Sequence, residues 1–127
     1  MPQTTASKEL KKILIVEDEG DMCLLLNIIL KDEQIDLEHV KTLDAARKYL
    51  SEETPALVML DNKLPDGLGL DFIEYIRKNN PGIKILMISG FHPATAEDIA
   101  LHNGADGFLA KPFTKDLVLQ SVQSLLN

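Results

Sequence analysis

The sequence predicts an α/β fold. It is a doubly wound parallel sheet of five strands with helices on both faces, a three-layer α/β/α arrangement built as (βα) five times over. Three observations predict it. Short runs such as KILIV at 12–16, ALVML at 56–60 and IKILMI at 83–88 are apolar or nearly so, as strands buried on both faces are. Each gives way to a segment whose apolar residues recur at helical spacing. The chain has 127 residues, enough for one domain with a sizeable core and little more.

The elements follow in order. The first strand, Lys12 to Val16, is rich in β-branched residues and stops abruptly at EDEG, 17–20. Met22, Leu25, Leu26 and Ile29 then mark an amphipathic helix over about residues 20–32, with Leu24 and Ile28 outside its apolar stripe. Asp36 to Lys41 alternates weakly and makes the second strand. Leu43 to Leu50 is helical, with Ala45, Ala46, Tyr49 and Leu50 on or near one face. Ala56 to Leu60 is the third strand, and Pro65-Asp66-Gly67 beyond it reads as turn chemistry only. Leu70, Ile73 and Ile76 mark a helix that NNPG at 79–82 stops. Ile83 to Ile88 is the fourth strand. Thr95 to His102 is a short helix with Asn103-Gly104 as a left-handed C-cap. Gly107 to Ala110 is the last and shortest strand. Leu117, Val118, Val122 and Leu125 give the closing helix, N-capped by Thr114.

Composition narrows the function. A formal net charge of −7 makes this domain a poor binder of nucleic acid or of an anionic membrane surface. The chain has no Trp and little aromatic content, so the core should be aliphatic. The single cysteine, Cys23, cannot form an internal disulfide, which is consistent with a cytoplasmic setting. The opening MPQTTASKELKK lacks the apolar segment of a signal peptide, and no apolar run approaches membrane-spanning length. Residues 1–9 are expected to be a flexible tail and 10–127 the domain.

Right-handed crossovers restrict the layout to a few choices. In such sheets, sites form just beyond the carboxyl ends of the strands. There the sequence places Glu17-Asp18, Asp61, Ser89-Gly90 and Lys111-Pro112 after the first, third, fourth and fifth strands. Three carboxylates in one poorly hydrated cleft repel one another, and one lysine does not offset them. A divalent metal is the economical inference, and hard oxygen donors with open water positions suit magnesium. Metal plus lysine turns an anion-repelling cleft into one that accepts a phosphoryl group. Ser89 could donate to a phosphoryl oxygen, and aspartate can carry such a group covalently.

Glu17-Asp18, Asp61, the LPDG of 64–67, Ser89-Gly90 and Lys111-Pro112 together resemble the receiver domain of bacterial two-component response regulators. The resemblance covers about residues 11–126. Each motif alone is weak; all five, in order and each at a strand's end, are specific. It implies a flavodoxin-like strand order of 2-1-3-4-5. It makes Asp61 the phosphoacceptor and Lys111 and Ser89 the residues that bind the phosphoryl group. Magnesium, or manganese as a substitute, would be held by Asp18, Glu17, Asp61 and the main-chain carbonyl of Lys63. The Lys111–Pro112 peptide should be cis. Ser89 and Phe108 should act as the switch pair, coupling phosphorylation to the face made by the fourth helix, fifth strand and fifth helix. The implied partners are a histidine kinase or a histidine phosphotransfer domain, and a second copy of the domain through that face when phosphorylated. No direct nucleic-acid or membrane contact is expected. Two departures stand out: the acidic pair is Glu-Asp where Asp-Asp is more frequent, and Phe108 stands where Tyr is frequent.

Other positions bear on the same reading. Lys63 lies two residues after Asp61 and Phe91 two after Ser89, so both can overhang an attacking water and set the lifetime of the phosphorylated state. Leu24 and Ile28 flank the acidic cleft and are candidates for partner docking. Plainer readings stand beside these: Asp61 as a helix cap, Glu17-Asp18 as a solvated loop, Ser89 bonding only its own loop, Lys111 as a surface lysine, Phe108 as core. Cys23 reads as packing or surface, and His39, His92 and His102 lack ligand spacing. Three rival functions compete with this reading. A haloacid dehalogenase-type phosphatase needs an acid two residues after its nucleophile, where this chain has Lys63. A flavodoxin-type flavin binder needs a hydroxyl- and glycine-rich phosphate loop, where this chain has EDEG. A receiver-like scaffold that is never phosphorylated would not need the complete acceptor set.

Overall fold

The computed structural model describes residues 10–32, 34–90 and 93–126. The tail expected over residues 1–9 and the position of Phe91 lie outside these. Five strands form one parallel sheet: β1 Lys11–Val16, β2 Ile35–Val40, β3 Leu57–Asp61, β4 Lys84–Ser89 and β5 Gly107–Ala110. The five helices are α1 Gly20–Leu30, α2 Leu43–Glu52, α3 Gly69–Asn79, α4 Pro93–His102 and α5 Lys115–Leu126. The strand order is 2-1-3-4-5, as the resemblance implied. A two-residue antiparallel ladder, Lys63–Leu64 against Gly67–Leu68, lies between β3 and α3 and brackets the Pro-Asp turn.

Strand periodicity makes the two cores. Leu14, Val16, Val58, Leu60, Ile85 and Met87 point to one face and pack with α2, α3 and α4. Ile13, Ile15, Leu57, Met59, Leu86 and Ile88 point to the other and pack with α1 and α5. Among the described residues both cores are aliphatic apart from Phe72, the one aromatic among their buried side chains. Thr114 caps α5, accepting the Leu117 N–H at 3.1 Å. Gly104 ends α4 with φ at +113°, a conformation L side chains resist. Proline is favoured at a first helical position, and α4 starts at Pro93, two residues before the expected Thr95.

Two expectations are corrected. Leu25 is not in the buried stripe of α1: it is 42% exposed, whereas Leu26 and Leu30 are buried and Met22 and Ile29 half-buried. At about 100° per residue, Leu25 falls roughly 90° off the centre of the 22-26-29-30 face. It joins Leu24 and Ile28 on the outer side of α1. Asp66 is more than turn chemistry. Its carboxylate accepts the N–H groups of Leu43 at 2.9 Å and Asp44 at 3.0 Å, at the start of α2.

The far edge of the sheet is fastened by Arg77, near the end of α3. Its guanidinium donates to the carbonyls of Gly104, Pro81 and Ile83 at 2.8, 3.0 and 2.6 Å and pairs with Asp106. Asp106 in turn accepts the Ile85 N–H at 2.8 Å. This ties α3 to the starts of β4 and β5, at the end opposite the acidic cluster.

Candidate functional site

Parallel strands bring their carboxyl ends to one edge, and there the structure gathers the residues that sequence scattered. Glu17 continues the β1–β2 ladder, its N–H donating to Val40 at 3.0 Å, so its side chain is carried under the edge and is fully buried. Asp18, one residue on, is exposed. Asp61 is the last residue of β3, opposite Ile88 of β4, and only 6% exposed. Ser89 closes β4 opposite Ala110 of β5 and is 3% exposed. Lys111 follows β5, its N–H donating to the Ser89 carbonyl at 2.9 Å, and its bond to Pro112 is cis.

The Lys111 ammonium is the hub. It lies 3.1 Å from Glu17 Oε1, 3.4 Å from Asp61 Oδ1 and 3.8 Å from Glu19 Oε1. Burial alone would lower its pKa, but the bond to Glu17 and the charges of Asp61 and Glu17 outweigh that and hold it above the usual lysine value. Burial, seconded by the Glu17 charge, pushes the Asp61 carboxyl up from 3.8 to about 6 against the pull of Lys111. Carboxylate oxygens of Glu17, Asp18 and Asp61 all lie within 4.8 Å of one another. Among the described residues these three hard donors converge with the half-buried Lys111 ammonium to balance them, and an all-oxygen donor set of this kind fits magnesium. Above them opens a cleft of about 390 Å³, lined by Asp18, Glu19, Asp61, Asn62, Lys63, Ser89, Gly90 and Lys111.

Two residues that the sequence reading passed over shape the position of Asp61. Asn62 donates its N–H to Ile88 at 3.1 Å and accepts the Leu70 N–H on its side-chain oxygen at 3.1 Å, capping α3. Gly69 starts α3 against the acceptor strand. A Cβ there would stand 2.2 Å from the Asp61 carbonyl oxygen, so only glycine fits. The available signal was a glycine as the first helical residue, a position where glycine is a poor helix former.

The remaining candidates divide. Lys63 lines the cleft and is exposed. Phe108 is half-buried beside Met87 and packs on the α2–α3–α4 core. Leu24 and Ile28 are 59% and 64% exposed on α1, with Leu25 beside them. The Cys23 thiol donates to the Glu17 carbonyl at 3.4 Å and is pushed up first by burial and then by the Glu17 charge, away from reactivity.

Comparison with known proteins gives the same picture. Residues 13–123 match the family described as the response regulator receiver domain. The chain is 37% identical over 102 residues to the response regulator protein PilR of Pseudomonas aeruginosa, covering 80% of this chain and 23% of that protein. It is 32% identical over 114 residues to the chemotaxis protein CheY of Listeria monocytogenes, covering 88% and 95%. The chain thus spans under a quarter of one relative and nearly all of the other. Among solved structures, the CheY-like receiver domain protein from Methanospirillum hungatei superposes with a TM-score of 0.86 at 30% identity, covering 93% and 94%. The beryllofluoride-activated NtrC4 receiver domain dimer gives 0.87 at 32%, covering 92% and 97%. Fold and relatives agree, and the chain belongs to the receiver domains of two-component response regulators, a family of phosphoacceptor switches rather than classical enzymes.

Proposed function

We propose that Asp61 accepts a phosphoryl group from a histidine kinase or histidine phosphotransfer domain. The observation that carries this is the buried Asp61 carboxylate at the end of β3, 3.4 Å from Lys111 and converging with Glu17 and Asp18. An Asp61 oxygen would attack phosphorus in line. The P–O bond forms as the P–N bond breaks, and the bonding pair leaves with the imidazole nitrogen. Lys111, already aimed at Asp61, would pair with a phosphoryl oxygen, while Ser89 would donate its hydroxyl to another. Glu17, Asp18, Asp61 and the Lys63 main-chain carbonyl would hold magnesium, with manganese as a substitute. Magnesium bound there supplies charge neutralisation and alignment for the transferring group. Glu17, being buried and already bonded to Lys111, also fixes that ammonium for the phosphoryl group.

The switch follows from added charge and acceptors at Asp61. Drawing Ser89 inward would open space that Phe108 fills, and the change would spread over the α4–β5–α5 face. That face is proposed to join two copies when phosphorylated, as the activated NtrC4 receiver is a dimer. Leu24 and Ile28, now with Leu25, would dock the phosphodonor beside the cleft. Lys63, and Phe91 two residues after Ser89 in sequence, offer no carboxylate or amide to orient water, so self-dephosphorylation should be slow for the family. Among the described residues no helix is long and apolar enough to cross a membrane, and a cytoplasmic location is proposed. The output is proposed to lie in a partner or a further domain; the chain matches 23% of the length of PilR. Intact mass after incubation with a small phosphodonor and magnesium should show one added phosphoryl group, absent in Asp61→Asn. Equal labelling of that variant would end the assignment.

A further inference from the structure

We propose that Asp66 is a positioning residue for the loop that carries Lys63. Its carboxylate pins the loop's tip to the start of α2, and this tether holds Lys63 at the rim of the cleft. The inference rests on the reading that the Lys63 main-chain carbonyl helps to hold magnesium.

The loop from Asp61 to Gly69 is closed at its neck, where the Gly69 N–H donates to the Asn62 carbonyl at 2.7 Å. Its body is stiffened by the ladder in which Lys63 pairs with Leu68 and Leu64 with Gly67. Neck and ladder stiffen the loop itself. Leu64 packs on the core shared by α2, α3 and α4, and beyond it the tip reaches the start of α2. Asp66 Oδ1 accepts the Leu43 N–H at 2.9 Å and Oδ2 the Asp44 N–H at 3.0 Å. Gly67 closes the same contact from the other side. It lies so near that a Cβ would stand 3.0 Å from Leu43 Cδ1, and its φ of +150° also favours glycine.

Helix α2 does not need Asp66 to be capped. Thr42 already accepts the Ala45 N–H at 3.0 Å and starts the helix. Asp66 takes the two remaining leading N–H groups from more than twenty residues away. α2 itself is anchored, since Leu43, Ala46 and Leu50 are buried against β1 and β3. The tether therefore runs from a fixed helix to a stiff ladder whose other end is Lys63, two residues from Asp61.

The test compares Asp66→Ala, Asp66→Asn and Thr42→Ala. Calorimetry with magnesium should show about 10-fold weaker binding in Asp66→Ala. Binding in Asp66→Asn, whose amide keeps one of the two acceptors, should fall between wild type and Asp66→Ala. Thr42→Ala, which weakens α2 without touching the loop, should lose stability and keep its magnesium affinity. In metal-free protein, exchange of the Gly69 N–H should be about 10-fold faster in Asp66→Ala and unchanged in Thr42→Ala. Should Asp66→Ala fail to fold, Asp66→Ser carries both measurements. Wild-type affinity with wild-type exchange in Asp66→Ala would overturn the proposal, as would equal magnesium loss in Thr42→Ala. Wild-type protein that binds no magnesium would sink the metal reading instead, and the exchange rates would still judge the tether.

Discussion

Removing the buried charge of Asp61 should stabilise the metal-free protein. A carboxyl raised from 3.8 to about 6 carries about 3 kcal/mol against its ionised form at neutral pH. The pull of Lys111 is already contained in that value; water in the open cleft screens the charge further, and halving the figure leaves about 1–2 kcal/mol for Asp61→Asn. Lys111 keeps its 3.1 Å bond to Glu17 in the variant, so no cation is stranded. The sign with pH is distinctive. Below about pH 4 the group is protonated in both folded and unfolded chains and contributes nothing. Between about pH 4 and 6 the unfolded chain ionises first, so the wild-type protein loses stability as pH rises, and above about 6 the loss is complete. Urea unfolding in a chelator should place the variant's midpoint about 0.5–1 M above wild type at about pH 7.5. Roughly half the gain should remain at about pH 5. A variant midpoint at or below wild type, or a gain of equal size at both pH values, would refute the reasoning.

Four other outcomes follow from the same geometry. Asp18→Ala should lose magnesium affinity by calorimetry yet unfold at a higher temperature without metal, because one of three crowded carboxylates is gone; unchanged affinity would place the ligands elsewhere. Gly69→Ala should cost about 3 kcal/mol in urea unfolding and slow phosphorylation, since its methyl group must displace the Asp61 carbonyl. Arg77→Ala should cost about 2–3 kcal/mol through its stranded carbonyl and Asp106 partners, while labelling of Asp61 stays at the wild-type rate. Decay of the phosphorylated protein should quicken in Lys63→Asn or Phe91→Ala; wild-type decay in both would end the shielding argument.

The sequence by itself determined a good deal of this protein. Strands buried on both faces need no partner to be recognised, because continuous apolar runs ending in charge or glycine state both their length and their burial. Once the order is strand-helix throughout, parallel geometry sends every strand's carboxyl end to one edge, so Asp61 and Lys111 could be placed together from position alone. Tertiary structure decided whatever depends on which neighbour an element meets. Leu25 satisfies helical spacing, yet the sheet meets α1 along Leu26 and Leu30. Asp66 has the composition of a turn, and only packing brings α2's free N–H groups within its reach. Lys111 bonds to Glu17 across a separation of 94 residues, and Gly69 is required only because α3 begins against the Asp61 backbone. Periodicity along a chain reports which way a residue faces. What stands opposite it depends on long-range packing, which local spacing does not encode.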